Sequence, residues 1–330
     1  MKIIRTRCSL LPLIGLLLGL FTICAAAQAQ PSGMDDFHDK LMLLGTGPEG
    51  GSFGPIGDTL CDAMNAVRRT SHVRCVPVQS AGSVFNIYAL ANGSLQLGMG
   101  QEDLLAQAYG SSEIKGGAQL RTVALMHNSP IGIMVRKASG ITELNQIRRG
   151  VVNIGNKGAG YNANALAVLK AMNLRESDFG GVTFLRPSAF VQAFCDGKVD
   201  VIFNALAHPS AQYRQLRACG GEFLDIPPDI MKQMVQENTW LRPMTIPAAI
   251  YDADQKEVKT LGVRNLLFTD AGIDEEAIFR VATLLASQHK NLQARQSNLS
   301  SMALLEEGDV DRLAAPLHPG ALRALRRRVQ

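Results

Sequence analysis

The chain has 330 residues, of which 46% are hydrophobic, 19% charged and 5% aromatic, and its formal net charge is +4. That length exceeds what a single hydrophobic core usually supports, so two domains or lobes are expected. The composition excludes a disordered chain, a collagen and a disulfide-dense miniprotein, and no repeat of solenoid length is visible.

The charge is concentrated at the start. Lys2, Arg5 and Arg7 precede the chargeless stretch Leu10 to Cys24, and small residues follow it up to Ala29 and Gln30. This is the pattern of a secretory signal peptide over 1–29, with cleavage after Ala29. The alternatives are an uncleaved anchor or a lipid-modified Cys24. The apolar run is shorter than the roughly twenty residues that span a bilayer, and Ile23 stands where lipid attachment wants a small residue. Without that leader the net charge is +1. A near-neutral chain argues against nucleic acid as a partner.

Four cysteines remain, Cys61, Cys75, Cys195 and Cys219. An even number in an exported protein suggests disulfides, and four cysteines allow three pairings. Proximity favours Cys61–Cys75 and Cys195–Cys219; four buried thiols are the alternative. No C-x-x-C and no histidine at ligand spacing accompanies them, so no metal is expected.

In chain order, 30–40 reads as a polar, flexible arm. Leu41 to Leu44 reads as a strand that runs into the loop GTGPEGGSFGPIG and a helix over about 55–68. A strand at Val73 to Val78 leads through Gln79-Ser80-Ala81-Gly82-Ser83 to a helix ending near Ala91. Gln96 to Met99 is a strand followed by a helix from Gln101, and Leu120 to Met126 and Ile131 to Val135 are two further strands. The pattern then repeats: strand at Val151 to Ile154, glycine loop, helix from Tyr161 to Met172. Shorter strands follow at 182–185, 199–203 and 222–226, each leading into a helix. Strand character returns over 247–268, and the tail from Asp274 is helical, with breaks near Gly308 and Pro316. Alternating strands and helices predict an α/β fold with mainly parallel sheets flanked by helices. The expected division is lobe one at 41–130 plus 250–330 and lobe two at 131–249, with a ligand cleft at the carboxyl ends of the strands.

Three glycine loops follow strands and open helices: Gly50-Gly51-Ser52-Phe53, Ser80-Ala81-Gly82-Ser83 and Gly158-Ala159-Gly160-Tyr161. A helix start offers free backbone N–H groups and about half a positive charge. Glycine admits a ligand close to the backbone, and Ser80 or Ser83 adds a hydroxyl or a cap. Together the loops suit a carboxylate without a dedicated arginine. None has the order G-x-G-x-x-G or the Lys-Ser/Thr of a P-loop, so no nucleotide cofactor, and no other, is expected.

These loops, with CVPVQSAGSVFNIYALANGSLQLGMGQED (75–103), VVNIGNKGAGYNANALAVL (151–169), CDGKVDVIFNALAHPS (195–210), TIPAAIY (245–251) and LAAPLHPGA (313–321), carry a family resemblance. The sequence resembles the TAXI-type solute receptors of TRAP transporters over nearly all the chain after its leader. The resemblance implies a two-lobed, type II periplasmic-binding-protein (Venus-flytrap) fold, periplasmic and monomeric. It implies capture of a small organic acid, glutamate- or 2-oxoglutarate-like, and docking on a membrane permease. It places Gly50–Phe53, Ser80–Ser83 and Gly158–Asn162 in the cleft, with Gln101 at the family's Q-S-D position. Both cysteine pairs fall where some relatives have paired cysteines. Ser52-Phe53-Gly54 stands for a commoner Thr-Tyr-Tyr, Tyr161-Asn162 for Thr-Glu, and Ala248-Ala249 for Gly-Gly, which leaves the ligand's identity open.

Among single residues, His208 lies between a strand and a helix, either facing the cleft or ordering a turn. His318 reads as structural. Arg136 is either a ligand contact or, more simply, a surface ion pair. Glu102-Asp103 reads as solvent-facing or capping. Arg323, Arg326, Arg327 and Arg328 read as a solvated helix end, with permease docking as a second role. No nucleophile, base and orienter assemble in the sequence, so an enzyme is not expected.

Overall fold

The structure, a computed structural model, describes residues 39–329. The expected signal peptide and most of the arm expected over 30–40 lie outside the described residues.

Ten strands form one continuous mixed sheet. β1 (Lys40–Gly45), β2 (Val73–Val78) and β3 (Leu97–Gln101) pair in parallel, with β1 central. β5 (Val151–Asn153), β6 (Gly181–Thr183) and β7 (Val201–Ala205) form a second parallel group around β5. Two long strands join the groups, β4 (Leu120–Arg136) and β10 (Val258–Asp270). They pair antiparallel with each other, β10 with β3 and β4 with β7. Two short strands, β8 (Gly221–Leu224) and β9 (Arg242–Ile246), add antiparallel pairs to β4 and β10. Parallel order therefore holds within each group, and the joining strands make the sheet mixed.

β4 is one strand of 17 residues where the sequence suggests two. Pro130 lacks an N–H yet stays in register opposite Gly262, because the strand changes partners there, from β10 to β7. The strand expected over 247–268 is also redistributed. Residues 247–257 form a loop between β9 and β10, held by Gln255, whose amide accepts from the Ile250 N–H and donates to the Pro247 carbonyl. Ala249 takes φ +58 there, a left-handed conformation that costs a residue with a Cβ about 1 kcal/mol.

The helices cover the sheet. In the first group lie α1 (Phe53–Ala66), α2 (Arg68–Ser71), α3 (Ser83–Ala91) and α4 (Glu102–Gly110). In the second lie α5 (Gly160–Ala171), α6 (Pro187–Cys195), α7 (Ala211–Ala218) and α8 (Pro228–Glu237). The tail supplies α9 (Glu275–Ser287), α10 (His289–Arg295) and α11 (Pro319–Val329). Apolar residues of α1, α9 and α11 bury against β1 and β3 around Leu44, Leu97 and Ile278. A separate core gathers Ile133, Val152, Phe203 and Val168. Cys61–Cys75 ties α1 to β2, with Cα atoms 4.9 Å apart, and Cys195–Cys219 ties α6 to the end of α7 at 5.2 Å. Closing each short loop removes freedom from the unfolded chain.

Candidate functional site

The starts of α1, α3 and α5 meet at one small cavity. Each follows the carboxyl end of a parallel strand, and none carries a side-chain cap: Ser52, Gly82 and Ala159 occupy the cap positions without capping hydrogen bonds. The start of α7 differs, since the Ser210 hydroxyl accepts from the Gln212 N–H. First-turn N–H groups lack partners within their own helix. Three uncapped starts thus bring first-turn backbone amides to one cavity, an arrangement that favours negative charge.

The loops touch across the cleft. The Val84 N–H donates to the Gly158 carbonyl at 3.2 Å, and the Ser188 N–H to the Glu49 carbonyl at 3.2 Å. Asn156 donates to the Ala81 carbonyl at 3.2 Å, and the Gln212 amide to the Gly50 carbonyl. Gly82 sits at φ +115, and a Cβ there would lie 3.2 Å from the Ala159 Cα. A side chain would meet both backbone strain and the opposite wall.

Of the residues singled out from the sequence, Gly51, Ser52, Phe53, Gly82 and Ser83 line the cavity, as do Gln101, Ala159, Gly160 and Tyr161. Five others do not. Gly50 packs its backbone against Ser188, and Gly158 accepts the cross-cleft bond from Val84. Ser80 braces its own loop, donating to the Thr46 carbonyl and accepting from the Gly82 N–H. Asn162 turns away from the cavity and donates to the Ile154 and Gly155 carbonyls. His208 stacks on Tyr213 with ring centroids 5.0 Å apart, and its Nδ1 meets the Tyr251 hydroxyl at 2.5 Å. Burial lowers its pKa to about 4, so it is neutral near pH 7.

Four wall residues escape the sequence reading: Pro48, Ala205, Leu206 and Asn265. Ala205 ends β7, and Leu206 opens the following loop, which holds His208. Asn265 lies on β10 directly opposite Gln101 in the antiparallel register. Its amide donates to Ser129 Oγ at 2.8 Å and to the His127 carbonyl at 3.2 Å. No local signal marks a residue brought in by a strand so far along the chain.

Gln101 is 3% exposed and spans the cleft. Its Nε2 donates to Asn164 Oδ1 on α5 at 2.8 Å, its backbone N–H donates to Ser83 Oγ, and its Oε1 has no partner. Behind Phe53 lies His127, edge-on at 5.8 Å and buried, which lowers its pKa to about 3 and keeps it neutral.

The two acids after Gln101 are enclosed, contrary to a solvent-facing reading. Glu102 is fully buried and accepts from Arg264 Nε at 2.6 Å and Nη2 at 2.5 Å. Asp103 accepts from Asn238 at 3.2 Å. Burial outweighs the hydrogen bonds it accepts and raises its pKa to about 6. Folding thus favours its protonated form, and its contribution to stability falls as pH rises from about 4 through about 6. Asp103→Asn is expected to stabilise the protein by about 1–3 kcal/mol at pH 7, and little at pH 4. Urea unfolding at both pH values checks this.

The other candidates resolve as structural. Arg136 pairs with Asp200 at 2.5 Å. His318 contacts the Ile273 carbonyl at 3.1 Å. Arg323 is not simply solvated, since it pairs with Glu275 at 3.1 Å and lies over the Phe279 ring at 3.8 Å. Among the described residues, no group of three or more His, Cys, Asp or Glu is placed to hold a metal, and no helix is long and apolar enough to cross a membrane.

A two-group sheet with helix starts facing a cleft defines the periplasmic-binding-protein fold. The fold is shared with the periplasmic binding protein BugD (TM-score 0.54, 12% identity, covering 88% of this chain and 94% of that one). It is shared with a protein from Bordetella bronchiseptica RB50 (0.53, 13%, 88% and 98%). XAC2383 from Xanthomonas citri, solved bound to ATP, is also similar (0.50, 13%, 88% and 99%). Residues 44–327 match the NMT1-like family, and the chain belongs to it.

Proposed function

We propose that this protein is an extracytoplasmic solute receptor, not an enzyme, that closes around a small organic acid and delivers it to a TRAP-type membrane permease. The observation that carries this reading is the convergence of three uncapped helix starts on one cavity. Such a surface favours an anion with no side-chain cation at the contact. In this reading the elements at 41–130 plus 250–330 and those at 131–249 are the two lobes, and the bonds between Val84 and Gly158 and between Gln101 and Asn164 belong to the closed state. Ligand that touches both lobes shifts the hinge toward closure, and the permease reads the closed shape. Export rests on the leader at 1–29. The permease type rests on the TAXI resemblance, as does the place of glutamate- and 2-oxoglutarate-like acids at the head of the screen.

A melting screen against mono- and dicarboxylates, amino acids and small sulfonates tests the reading. At least one carboxylate is expected to raise the midpoint by several degrees when present far above its Kd, since ligand binds the native state. No shift from any carboxylate refutes an organic-acid receptor, and a shift from sulfonates alone reassigns the ligand class. Mass spectrometry of small molecules that co-purify gives a second, unbiased readout.

A further inference from the structure

We infer that the preferred ligand is a small monocarboxylate bearing a hydroxyl on the carbon next to the carboxylate, and that Gln101 reads that hydroxyl. The inference rests on the solute-receptor reading and narrows it away from the dicarboxylates implied by the family resemblance.

Each helix start contributes about half a positive charge. No Lys, Arg, Asp or Glu is among the residues lining the cavity. One carboxylate is balanced by three such starts, whereas a second would be buried without a partner, which is strongly unfavourable. An ammonium group would likewise find no carboxylate. The cavity is small, which favours a small ligand.

Gln101 supplies the second, independent observation. Its Oε1 is buried without a partner. The oxygen lies 2.7 Å from where a Cβ of Gly160 would stand, beside the start of α5. That positive helix end favours the amide oxygen there over the amide nitrogen, and Nε2 is engaged by Asn164. An enclosed acceptor of this kind gains most from a donor that the ligand brings in place of water. It sits beside one of the starts that hold the carboxylate, so the donor belongs on the adjacent carbon. A hydroxyl fits, a carbonyl does not. Since Gln101 also bonds Asn164 across the cleft, the hydroxyl contact and closure share one side chain.

Calorimetry on the folded chain with 2-hydroxybutanoate, butanoate, 2-oxobutanoate, malate and 2-aminobutanoate tests this. The hydroxy acid is expected to bind about tenfold or more tighter than butanoate, the penalty of leaving a buried acceptor unpaired. Gln101→Met, which keeps the shape and removes the acceptor, is expected to bring that ratio to within about twofold. The comparison on the unaltered protein stands even where the variant folds poorly. Equal binding of butanoate, or tighter binding of 2-oxobutanoate, malate or 2-aminobutanoate, overturns the inference and leaves the receptor reading intact. Binding by none of the five overturns it as well. The receptor reading falls with it only where the wider melting screen also finds no acid.

Discussion

Gly160→Leu is expected to lower affinity for the tightest-binding carboxylate of the melting screen at least a hundredfold. Even the first atom of a side chain at this position would lie 2.5 Å from Gln101 Cδ, 2.7 Å from its Oε1 and 2.8 Å from Ser83 Oγ. All three distances are well inside van der Waals contact. Gln101 cannot simply swing aside, because it is enclosed and held by Asn164. A leucine here enters the space where α3 and α5 approach, so it both fills the anion site and wedges the cleft. The fold should survive. Gly160 opens a helix and is not among the positive-φ glycines, so a larger residue meets no backbone strain. Calorimetry reads the affinity, and X-ray scattering reads whether the variant stays expanded when that acid is added. Affinity within threefold of the parent would remove this loop from the site.

Arg264→Met is expected to destabilise the protein by about 3–5 kcal/mol, the usual consequence of removing one partner of a buried ion pair. Glu102 is fully enclosed, and Arg264 binds both of its oxygens. Arg242, the remaining nearby cation, is 3.7 Å away and 42% exposed in its side chain. It offers weaker compensation. The pair fixes the start of α4 onto β10, immediately beside Gln101 and Asn265. Replacing both partners, Arg264→Met with Glu102→Leu, is expected to recover most of the loss, because no unpaired charge is then left inside. Urea unfolding of the single and double variants decides the matter. A single variant within 1 kcal/mol of the parent would show that the pair contributes little.

Local patterns carried much of the fold and part of the site. Glycine loops at strand ends announce helix starts because the backbone itself makes the feature, and nine of the fourteen residues singled out from the sequence line the cavity. The two disulfides follow the proximity of their cysteines along the chain. Asn162 and His208 show where local reasoning stops. Both lie next to the right loops, yet one serves neighbouring carbonyls and the other an aromatic cluster. Which way a side chain turns at a helix start depends on what the neighbouring elements leave unpaired.

The sequence by itself determined the alternation of strand and helix, the three glycine-loop helix starts and the absence of a P-loop or dinucleotide fingerprint, since each is written within a dozen residues. Only the tertiary structure decided that β10 returns antiparallel beside β3. That register sets Asn265 across from Gln101 and carries Arg264 to Glu102, which it encloses as a pair. The reason is distance along the chain: strand pairing brings together residues more than 160 positions apart, and the burial that results belongs to the pair, not to either segment.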